Sequence, residues 1–347
     1  MTHGGNVWQG SAPDEWLDFS ANLRPEGTPK WVRDALTEAV DAARYYPDPR
    51  MQRGKAALAE YLNIGSDCVL PTAGGISAIR LANCVHSRQT VIFTPCFCEY
   101  AQFASSEVRK VSLLGTDHAI LEPAEALRGG IERNSLVWLC NPMNPVGTAF
   151  SREQILRLLD MAEAFDSWLA VDEAFIDYCG EYSSAKLVGS RRLIIVGSMT
   201  KILGIPGVRL GYLCAAPELI QTLEKQMIPW ELSCFAEAVL AELPRHRKDI
   251  SGYARRNSTR REVLREALEG LGTYVYLSEA AFLLADFGRN VQPVISKLRK
   301  KHILVRDCAD FDGINDGCHL RLAVKGETEN ELLIRAIGEA ISCAENR

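Results

Sequence analysis

The sequence lacks a hydrophobic run long enough to cross a membrane, which takes about 18–20 consecutive apolar residues. Its first residues have neither the basic region nor the apolar core of a secretory signal peptide. It also lacks blocks of like charge, because 39 Lys and Arg and 44 Asp and Glu are interspersed and give a net charge of −5. We therefore expect a cytoplasmic protein that binds neither a membrane nor nucleic acid.

Patterns typical of metal sites and disulfide frameworks are missing as well. The 11 cysteines are scattered without any Cys-X-X-Cys pair, and the only close pair is Cys96 and Cys98. The 6 histidines have no ligand spacing. We expect no metal ion, and reduced thiols that mostly act as small core residues. No internal repeat or low-complexity linker divides the chain.

Strand and helix patterns alternate through the middle of the chain. Apolar strands are predicted near residues 68–72, 90–94, 136–140, 168–172, 193–197 and 210–214. The helical patterns between them indicate an α/β fold with a mostly parallel sheet. After about residue 227, a long polar helix and short strands predict a smaller α+β lobe. A length of 347 residues with 47% hydrophobic residues suffices for a large core in two lobes.

Two helix starts have capping signals. Thr28 precedes Pro29, which predicts an N-cap followed by proline at the first helical position. Ser151 and Gln154 have the spacing of a capping box. We expect one helix to begin at each of these positions.

Lys201 stands at the end of an apolar, β-branched run. Ser198 and Thr200 precede it by three residues and one residue, and Arg209 follows it by eight. A lysine at the end of a buried strand can form a Schiff base with an aldehyde. Hydroxyl groups and an arginine suit a phosphate, and an aldehyde that carries a phosphate is pyridoxal 5′-phosphate (PLP). The plainer alternative is a lysine that extends from a strand end to solvent, beside a solvated arginine.

Asp172 and Asn144 also follow buried strands. Ligands of open α/β sheets bind at the carboxyl ends of the strands. An ionised Asp172 would keep a pyridine nitrogen protonated, since an opposite charge in contact moves a pKa by about 1–3 units. Asn144 lies in a tandem Asn-Pro repeat and could donate to O3′ of the cofactor. The combination of four residues in one order indicates a PLP site more specifically than any one of them does. The four are Asn144, Asp172, Lys201 and Arg209.

The chain resembles a known enzyme family at these residues. The segments NPMNPVG (141–147), DEAF (172–175), SMTK (198–201) and PGVRLGY (206–212) are similar to those of fold-type I PLP enzymes of the aminotransferase class I/II group. Within that group, it resembles the histidinol-phosphate aminotransferases and the L-threonine-O-3-phosphate decarboxylases of cobalamin biosynthesis. The segments HGGN (3–6), DFSAN (18–22) and the Ile205-Pro206-Gly207 turn favour the decarboxylases. The resemblance runs from about residue 3 to the carboxyl end.

The resemblance implies a large PLP-binding domain with a mostly parallel mixed sheet, at residues 46–227. It implies a smaller α+β domain at residues 228–347, and residues 25–45 would be part of this smaller domain. Residues 1–24 would form an amino-terminal arm.

The resemblance also implies contacts to the cofactor. The turn at Gly74, Gly75 and Ile76 would hold the cofactor phosphate, Phe97 would stack on the ring, and Ser198 and Arg209 would bind the phosphate. Tyr46 would reach the phosphate of the partner subunit, so that a homodimer shares its two active sites. Each assignment has a plainer alternative. The two glycines could form only a tight turn, Phe97 could be a core residue, and Tyr46 could be an ordinary turn residue.

Five further residues are assigned to the substrate through the resemblance. Arg321 would bind the α-carboxylate of a phosphorylated amino acid and Arg306 its phosphate. His3 and Asn6 lie on the arm, and Asn22 ends the DFSAN segment. The alternatives are two ordinary surface arginines and a disordered terminus.

The chain departs from the family pattern at three positions. Met143 and Val146 replace asparagine and threonine, and Phe175 stands where the aminotransferases have tyrosine. A lost phenol removes one hydrogen bond to O3′, which puts efficient transamination in doubt.

The function expected is PLP-dependent decarboxylation of L-threonine O-3-phosphate, or O-phosphoserine. The product would be aminopropanol phosphate, or ethanolamine phosphate, for the cobamide nucleotide loop. The alternatives are an aminotransferase acting on histidinol phosphate or another amino acid, and a PLP-binding regulator without activity. Which bond at Cα breaks depends on the pose that Arg321 and the phosphate clamp impose, because the catalytic residues would be the same.

Overall fold

The computed structural model describes residues 4–8, 12–189 and 191–345. The strands are β1 (Leu17–Asp18), β2 (Val69–Thr72), β3 (Gln89–Thr94), β4 (Glu107–Ser112), β5 (Ser135–Cys140), β6 (Trp168–Asp172), β7 (Leu193–Ser198), β8 (Gly211–Cys214), β9 (Tyr274–Val275), β10 (Phe282–Asp286), β11 (Ile303–Leu304), β12 (Arg306–Asp307) and β13 (His319–Ala323). The helices are α1 (Lys30–Glu38), α2 (Gln52–Leu62), α3 (Gly75–Ala82), α4 (Glu99–Gln102), α5 (Pro123–Ala126), α6 (Arg152–Ala164), α7 (Met199–Ile202), α8 (Pro217–Glu224), α9 (Cys234–Glu242), α10 (Arg247–Glu269), α11 (Gln292–Lys300) and α12 (Glu327–Glu345).

Seven strands form the central sheet, in the order β2-β8-β7-β6-β5-β3-β4. Only β8 runs antiparallel to its neighbours, and the other pairs are parallel. Every residue of β3, β5 and β7 is buried, as expected for strands covered by helices on both faces. The predicted mostly parallel sheet is confirmed. Edge strand β4 was not predicted, because its residues alternate between exposed and half-buried and include three charged side chains.

A second, antiparallel sheet has the order β12-β13-β10-β9. Helix α10 packs against β9 and β10, and α11 packs against α12. Strand β1 pairs in parallel with β11, which joins the amino-terminal segment to this lobe. A separate buried cluster, which includes Phe19, Leu283 and Leu322, forms its core.

Helix α1 packs against α9, and Val32 of α1 belongs to the buried cluster around the seven-stranded sheet. The division of the chain at residues 24, 45 and 227 stays a prediction. None of the described helices is long and apolar enough to cross a bilayer.

The two capping predictions have different outcomes. Ser151 Oγ accepts a hydrogen bond from the Gln154 backbone, and Gln154 Oε1 accepts one from the Ser151 backbone at 2.8 Å, so the capping box is confirmed. The predicted N-cap at Thr28 is wrong. Pro29 holds the cap position, and Thr28 Oγ1 donates to the distant Gly204 carbonyl at 3.0 Å instead.

Candidate active site

A cleft of about 310 Å³ opens at the carboxyl ends of β5, β6 and β7. It is lined by residues of the central sheet, of the second sheet and of the segment that follows β1. The sequence-predicted residues that line it are Asn22, Gly75, Ile76, Phe97, Asn144, Asp172, Ser198, Lys201, Arg209, Arg306 and Arg321. The fold therefore brings together residues that are up to about three hundred positions apart in the chain.

Lys201 lies in the first turn after β7, in the short helix α7. Burial, together with the positive charges of Arg321 and Arg209, lowers the pKa of its amine to about 8, while Asp172 opposes this shift. A lysine with a lowered pKa has a larger neutral fraction at physiological pH than a free lysine. The neutral amine is the nucleophile that attacks a carbonyl group.

Asp172 ends β6 and is buried below the cleft. The Tyr100 hydroxyl donates to its Oδ2 at 2.6 Å, and the Ala174 backbone N–H donates to its Oδ1 at 2.9 Å. Burial raises the pKa of this carboxyl group, whereas the two hydrogen bonds and Lys201 lower it. Both oxygens thus have a donor, and the carboxylate still lines the cleft.

Arg321, on β13, is only 7% exposed. Its Nη1 donates to Asn144 Oδ1 at 2.7 Å, and its Nη2 donates to the Ser20 carbonyl oxygen at 2.8 Å. Its Nε is buried and has no hydrogen-bond partner among the described residues. Burial lowers the pKa of Arg321 to about 10, so the guanidinium stays charged at neutral pH. Because the arginine occupies the amide oxygen of Asn144, the amide nitrogen is left as the donor.

Arg306, on β12, is 6% exposed. Its Nη2 donates to Asp310 Oδ1 at 2.7 Å, its Nη1 donates to the Asp307 carbonyl oxygen, and the guanidinium lies 4.8 Å from the centre of the Phe311 ring. Neither Arg306 nor Arg321 is an ordinary surface arginine. Strands β12 and β13 also pair them directly opposite each other, which places both side chains on one face of the sheet.

The turn before α3 lies against Arg209. Gly74 has φ +83°, and a Cβ built at this position would lie 2.6 Å from Arg209 Nη2, so only glycine allows this approach. Gly75 begins the helix, whose first N–H groups have no helical partner and favour an anion. The hydroxyl groups of Ser198 and Thr200 are 2.8 Å apart at the same end of the cleft.

Three predicted residues do not line the cleft, and a fourth lies outside the described residues. Gly74 lies behind Arg209, as described, and His3 lies outside the described residues. Asn6 is exposed and does not line the cleft, so its contact with the substrate stays a prediction; Gly4 lines the cleft, and the Gly5 N–H donates to Ser20 Oγ at 2.8 Å.

Tyr46 is 80% exposed and lies outside the cleft of its own chain. Its ring packs on that of Trp230, with 4.7 Å between the ring centres. Such a position does not distinguish a turn tyrosine from one that contacts a second subunit.

The sequence did not single out Tyr100, Ser20 or Asp310. Tyr100 and Ser20 lie in segments that the motifs had marked, next to Phe97 and Asn22. Their partners, however, are 72 and 301 positions away in the chain. Only the fold identifies such contacts.

Comparisons with known proteins agree with this geometry. The family model of aminotransferase class I and II matches residues 14–337. A putative threonine-phosphate decarboxylase from Caldanaerobacter subterraneus subsp. tengcongensis is 35% identical, over 96% of this chain and 92% of the relative. The threonine-phosphate decarboxylase of Salmonella typhimurium is 30% identical, over 98% and 96%.

Among solved structures, the histidinol-phosphate aminotransferase from Clostridium acetobutylicum superposes with a TM-score of 0.86 at 26% identity. The match covers 93% of this chain and 99% of that one. The expected fold-type I architecture, an α/β fold with a mostly parallel mixed sheet, is therefore confirmed. The chain belongs to the aminotransferase class I and II family, whose members depend on PLP.

Proposed function

We propose that the protein decarboxylates L-threonine O-3-phosphate to aminopropanol phosphate, with PLP as cofactor. The observation that carries the proposal is the pair of buried arginines, Arg306 and Arg321, opposite each other on β12 and β13 and in one cleft with Lys201. A phosphorylated amino acid has two anionic groups, and a guanidinium binds either a carboxylate or a phosphate bidentately. The two relatives named as threonine-phosphate decarboxylases support the same substrate class.

The residues of the cleft fit PLP. Arg209, the hydroxyl groups of Ser198 and Thr200 and the start of α3 line the same end of the cleft, and together they would hold the phosphate. Lys201 would hold the aldehyde carbon, Asp172 would face the ring nitrogen, and Phe97 would cover one face of the ring. When bound, PLP supplies an electron sink that stabilises negative charge at the substrate Cα.

The two arginines would determine which bond at Cα breaks. Arg321 would bind the α-carboxylate and Arg306 the phosphate, so the substrate has two fixed points and one orientation. Asn144 holds Arg321 in place and would turn its amide N–H toward the cofactor O3′. Lys201, with a largely buried amine of lowered pKa, would return the proton to Cα after CO₂ leaves.

Phe175 supports decarboxylation over transamination. Its ring packs edge to face on Phe282, with 5.0 Å between the ring centres, and it lines the cleft. A phenol at this position would add a donor beside O3′, and a phenylalanine adds only apolar surface.

The proposal includes a homodimer whose active sites are shared. Tyr45, Tyr46, Ile228 and Trp230 are apolar or aromatic side chains between 49% and 80% exposed. Exposed apolar groups that cluster around one feature often mark an interface. In a dimer, Tyr46 of one protomer would donate to the cofactor phosphate of its partner.

A role in the cobamide nucleotide loop and a cytoplasmic location are also part of the proposal. The support for the first is similarity to a bifunctional protein of adenosylcobalamin biosynthesis, 28% identical over 96% of this chain. For the second, ten of the 11 cysteines are free thiols in the structure, as is usual in a reducing compartment.

Aminotransfer on histidinol phosphate is the second candidate. The aminotransferase from Clostridium acetobutylicum shares 26% of its sequence with this chain over almost its whole length. Histidinol phosphate has a phosphate but no carboxylate, so it would leave one of the two arginines without an anion.

The deciding experiment incubates the PLP-loaded protein with phosphothreonine and no 2-oxo acid. We expect CO₂ and aminopropanol phosphate in equal amounts. We also expect borohydride to fix PLP to Lys201, and Lys201→Ala to be inactive. Phosphoserine serves as the second substrate, since one methyl group changes selectivity by only about 1–3 kcal/mol. Product that forms only from histidinol phosphate with 2-oxoglutarate would favour the aminotransferase, and failure to bind PLP would exclude both.

A further inference from the structure

Tyr100 is a fully buried residue that lies outside the cleft but contacts a residue in it. It belongs to α4, and its ring stacks on that of Trp138 of β5, with 4.6 Å between centres and 4° between planes. Both rings are completely buried. A buried ring held flat against another has little freedom, so the position of its hydroxyl group is fixed.

The hydroxyl group of Tyr100 is aimed at Asp172. Its oxygen lies 2.6 Å from Asp172 Oδ2, which is typical of a strong O–H to carboxylate hydrogen bond. The other oxygen, Oδ1, accepts from the Ala174 backbone N–H at 2.9 Å. Together the two donors fix the plane of the carboxylate.

We propose that Tyr100 is a positioning residue, whose hydroxyl group keeps the Asp172 carboxylate ionised and oriented toward the ring nitrogen of the cofactor. The inference rests on the proposed use of PLP. A buried carboxylate would otherwise take up a proton more easily, because burial disfavours its charged form. Tyr100 acts only through Asp172 and does not itself line the cleft.

The groups around Tyr100 keep its hydroxyl group protonated, so that it can act as a hydrogen-bond donor. Burial and the Asp172 charge raise the pKa of Tyr100 well above its usual value, so its hydroxyl group keeps its proton at neutral pH and can donate. The titratable groups that face the pair are Lys201, Cys140, Cys96 and Glu173. The two thiols have raised pKa values and stay neutral, which leaves Lys201 as the cation of the set.

Tyr100→Phe tests the inference, because it keeps the stacked ring and removes only the donor. The loss lets the pKa of Asp172 rise further, so fewer carboxylates are ionised at acid pH. We expect the Kd for PLP to rise about tenfold at pH 6.5, equivalent to about 1.4 kcal/mol, and clearly less at pH 8.5, because a higher pH opposes protonation of the carboxyl group. The acid limb of the pH profile of kcat/KM should move to higher pH by about one unit.

Tyr253→Phe is the matched control. Tyr253 is also a fully buried tyrosine, and it neither lines the cleft nor contacts Asp172. The Tyr253→Phe variant should bind PLP as the unmodified protein does. In an Asp172→Asn background, Tyr100→Phe should have no further pH-dependent effect on PLP binding, since the group it acts through is gone.

Each result is informative. If the unmodified protein binds no PLP, the proposed function fails and this inference with it. If the unmodified protein binds PLP and Tyr100→Phe has the same Kd at both pH values, the inference alone is overturned. An equal loss at both pH values together with a lower Tm would make Tyr100 a packing residue, which also overturns it.

Discussion

At the residue scale, the site combines charges that a fold would not assemble for stability. The positive charges of Arg321 and Arg209 lower the proton affinity of Lys201, and the Asp172 carboxylate opposes them. Buried charges of like sign are costly unless a ligand or partner neutralises them. A cleft with this excess of positive charge is suited to an anionic substrate and cofactor, and strongly shifted pKa values are typical of functional sites.

The amine of Lys201 should control how fast PLP attaches. With a pKa of about 8, about one-tenth of the amine is neutral at pH 7, which is far more than for a free lysine. We expect the rate of covalent attachment to the cofactor-free protein to rise with pH, with a midpoint near 8. Borohydride trapping and mass spectrometry at a series of pH values would measure it, with N-acetyl-lysine as the reference amine.

Two variants test the sign of the neighbouring charges. Arg321→Gln removes a positive charge, so the midpoint should move to higher pH. Asp172→Asn removes the group that raises the pKa of Lys201, so the midpoint should move to lower pH. Shifts in the same direction, or a midpoint equal to that of the reference amine, would contradict the assignment.

The motif residues could be predicted because each follows a strand in a specific segment of the sequence. Asn144, Asp172 and Lys201 end three neighbouring strands, and the carboxyl ends of parallel strands meet at one edge of a sheet. The partner of each could not be predicted. The oxygen of Asn144 is bound by an arginine 177 positions away, and no local pattern encodes such a pair.

At the element scale, the segment after β1 links the amino-terminal arm to the cleft. Asp18 Oδ1 accepts from both the backbone N–H and the hydroxyl group of Ser20, which fixes the turn. The Ser20 carbonyl then accepts from Arg321, and its hydroxyl group accepts from Gly5. The arm is therefore attached to the segment whose Ser20 carbonyl holds Arg321, the arginine proposed to bind the substrate carboxylate.

Within this arm, Gly4 packs directly against the backbone of Ser20. A Cβ at this position would lie 2.1 Å from the Ser20 carbonyl oxygen, which no packed atom tolerates. Gly4→Ala should displace the arm and raise the KM for phosphothreonine about tenfold, or about 1.4 kcal/mol of binding. The value of kcat and the Tm should hardly change, because the arm buries little apolar surface. Steady-state kinetics and calorimetry would measure this.

Gly180→Ala is the matched control, because a Cβ there meets nothing within 4 Å. Deletion of residues 1–6 should reproduce the effect of Gly4→Ala on KM. Unchanged kinetics in both arm variants would make the arm a passive terminus, and would remove a main reason to prefer the decarboxylase.

Helix starts show how far local patterns extend. The Ser151–Gln154 box needs only residues within one turn, so the sequence predicted it correctly. Thr28 has the same local preference, but its hydroxyl group binds Gly204, 176 positions away. The hydroxyl group therefore forms a hydrogen bond to a distant carbonyl oxygen in place of an N-cap hydrogen bond, which is worth about 1 kcal/mol.

At the scale of the whole molecule, two cores meet at one cleft. One surrounds the seven-stranded sheet, and the other lies between the antiparallel sheet and helices α10 to α12. Asn144, Asp172 and Lys201 lie at strand ends of the seven-stranded sheet, and Arg306 and Arg321 lie on strands of the antiparallel sheet. The alternation of strands and helices predicted the larger sheet, whereas the pairing of Arg306 with Arg321 depends on a register that composition does not reveal.

Subunit complementation would test whether a dimer completes the site. Lys201→Ala abolishes activity in its own chain but retains Tyr46. Tyr46→Phe retains Lys201 and should weaken PLP binding about tenfold, since it removes one charge-assisted hydrogen bond. Neither homodimer should be fully active at limiting PLP.

After equal amounts of the two variants exchange subunits, about half of the dimers are hybrids, and each hybrid has one intact site out of two. Activity at limiting PLP should therefore rise to about a quarter of that of the unmodified protein. If Tyr46 acted within its own chain, no site would regain both groups, and activity would stay at about one-twentieth, because only half of the chains retain Lys201 and each is about one-tenth occupied. Native mass spectrometry should verify the exchange. A mixture that contains hybrids without gaining activity would place Tyr46 outside the shared site, because its exposed ring would then have no role in the partner's cofactor binding.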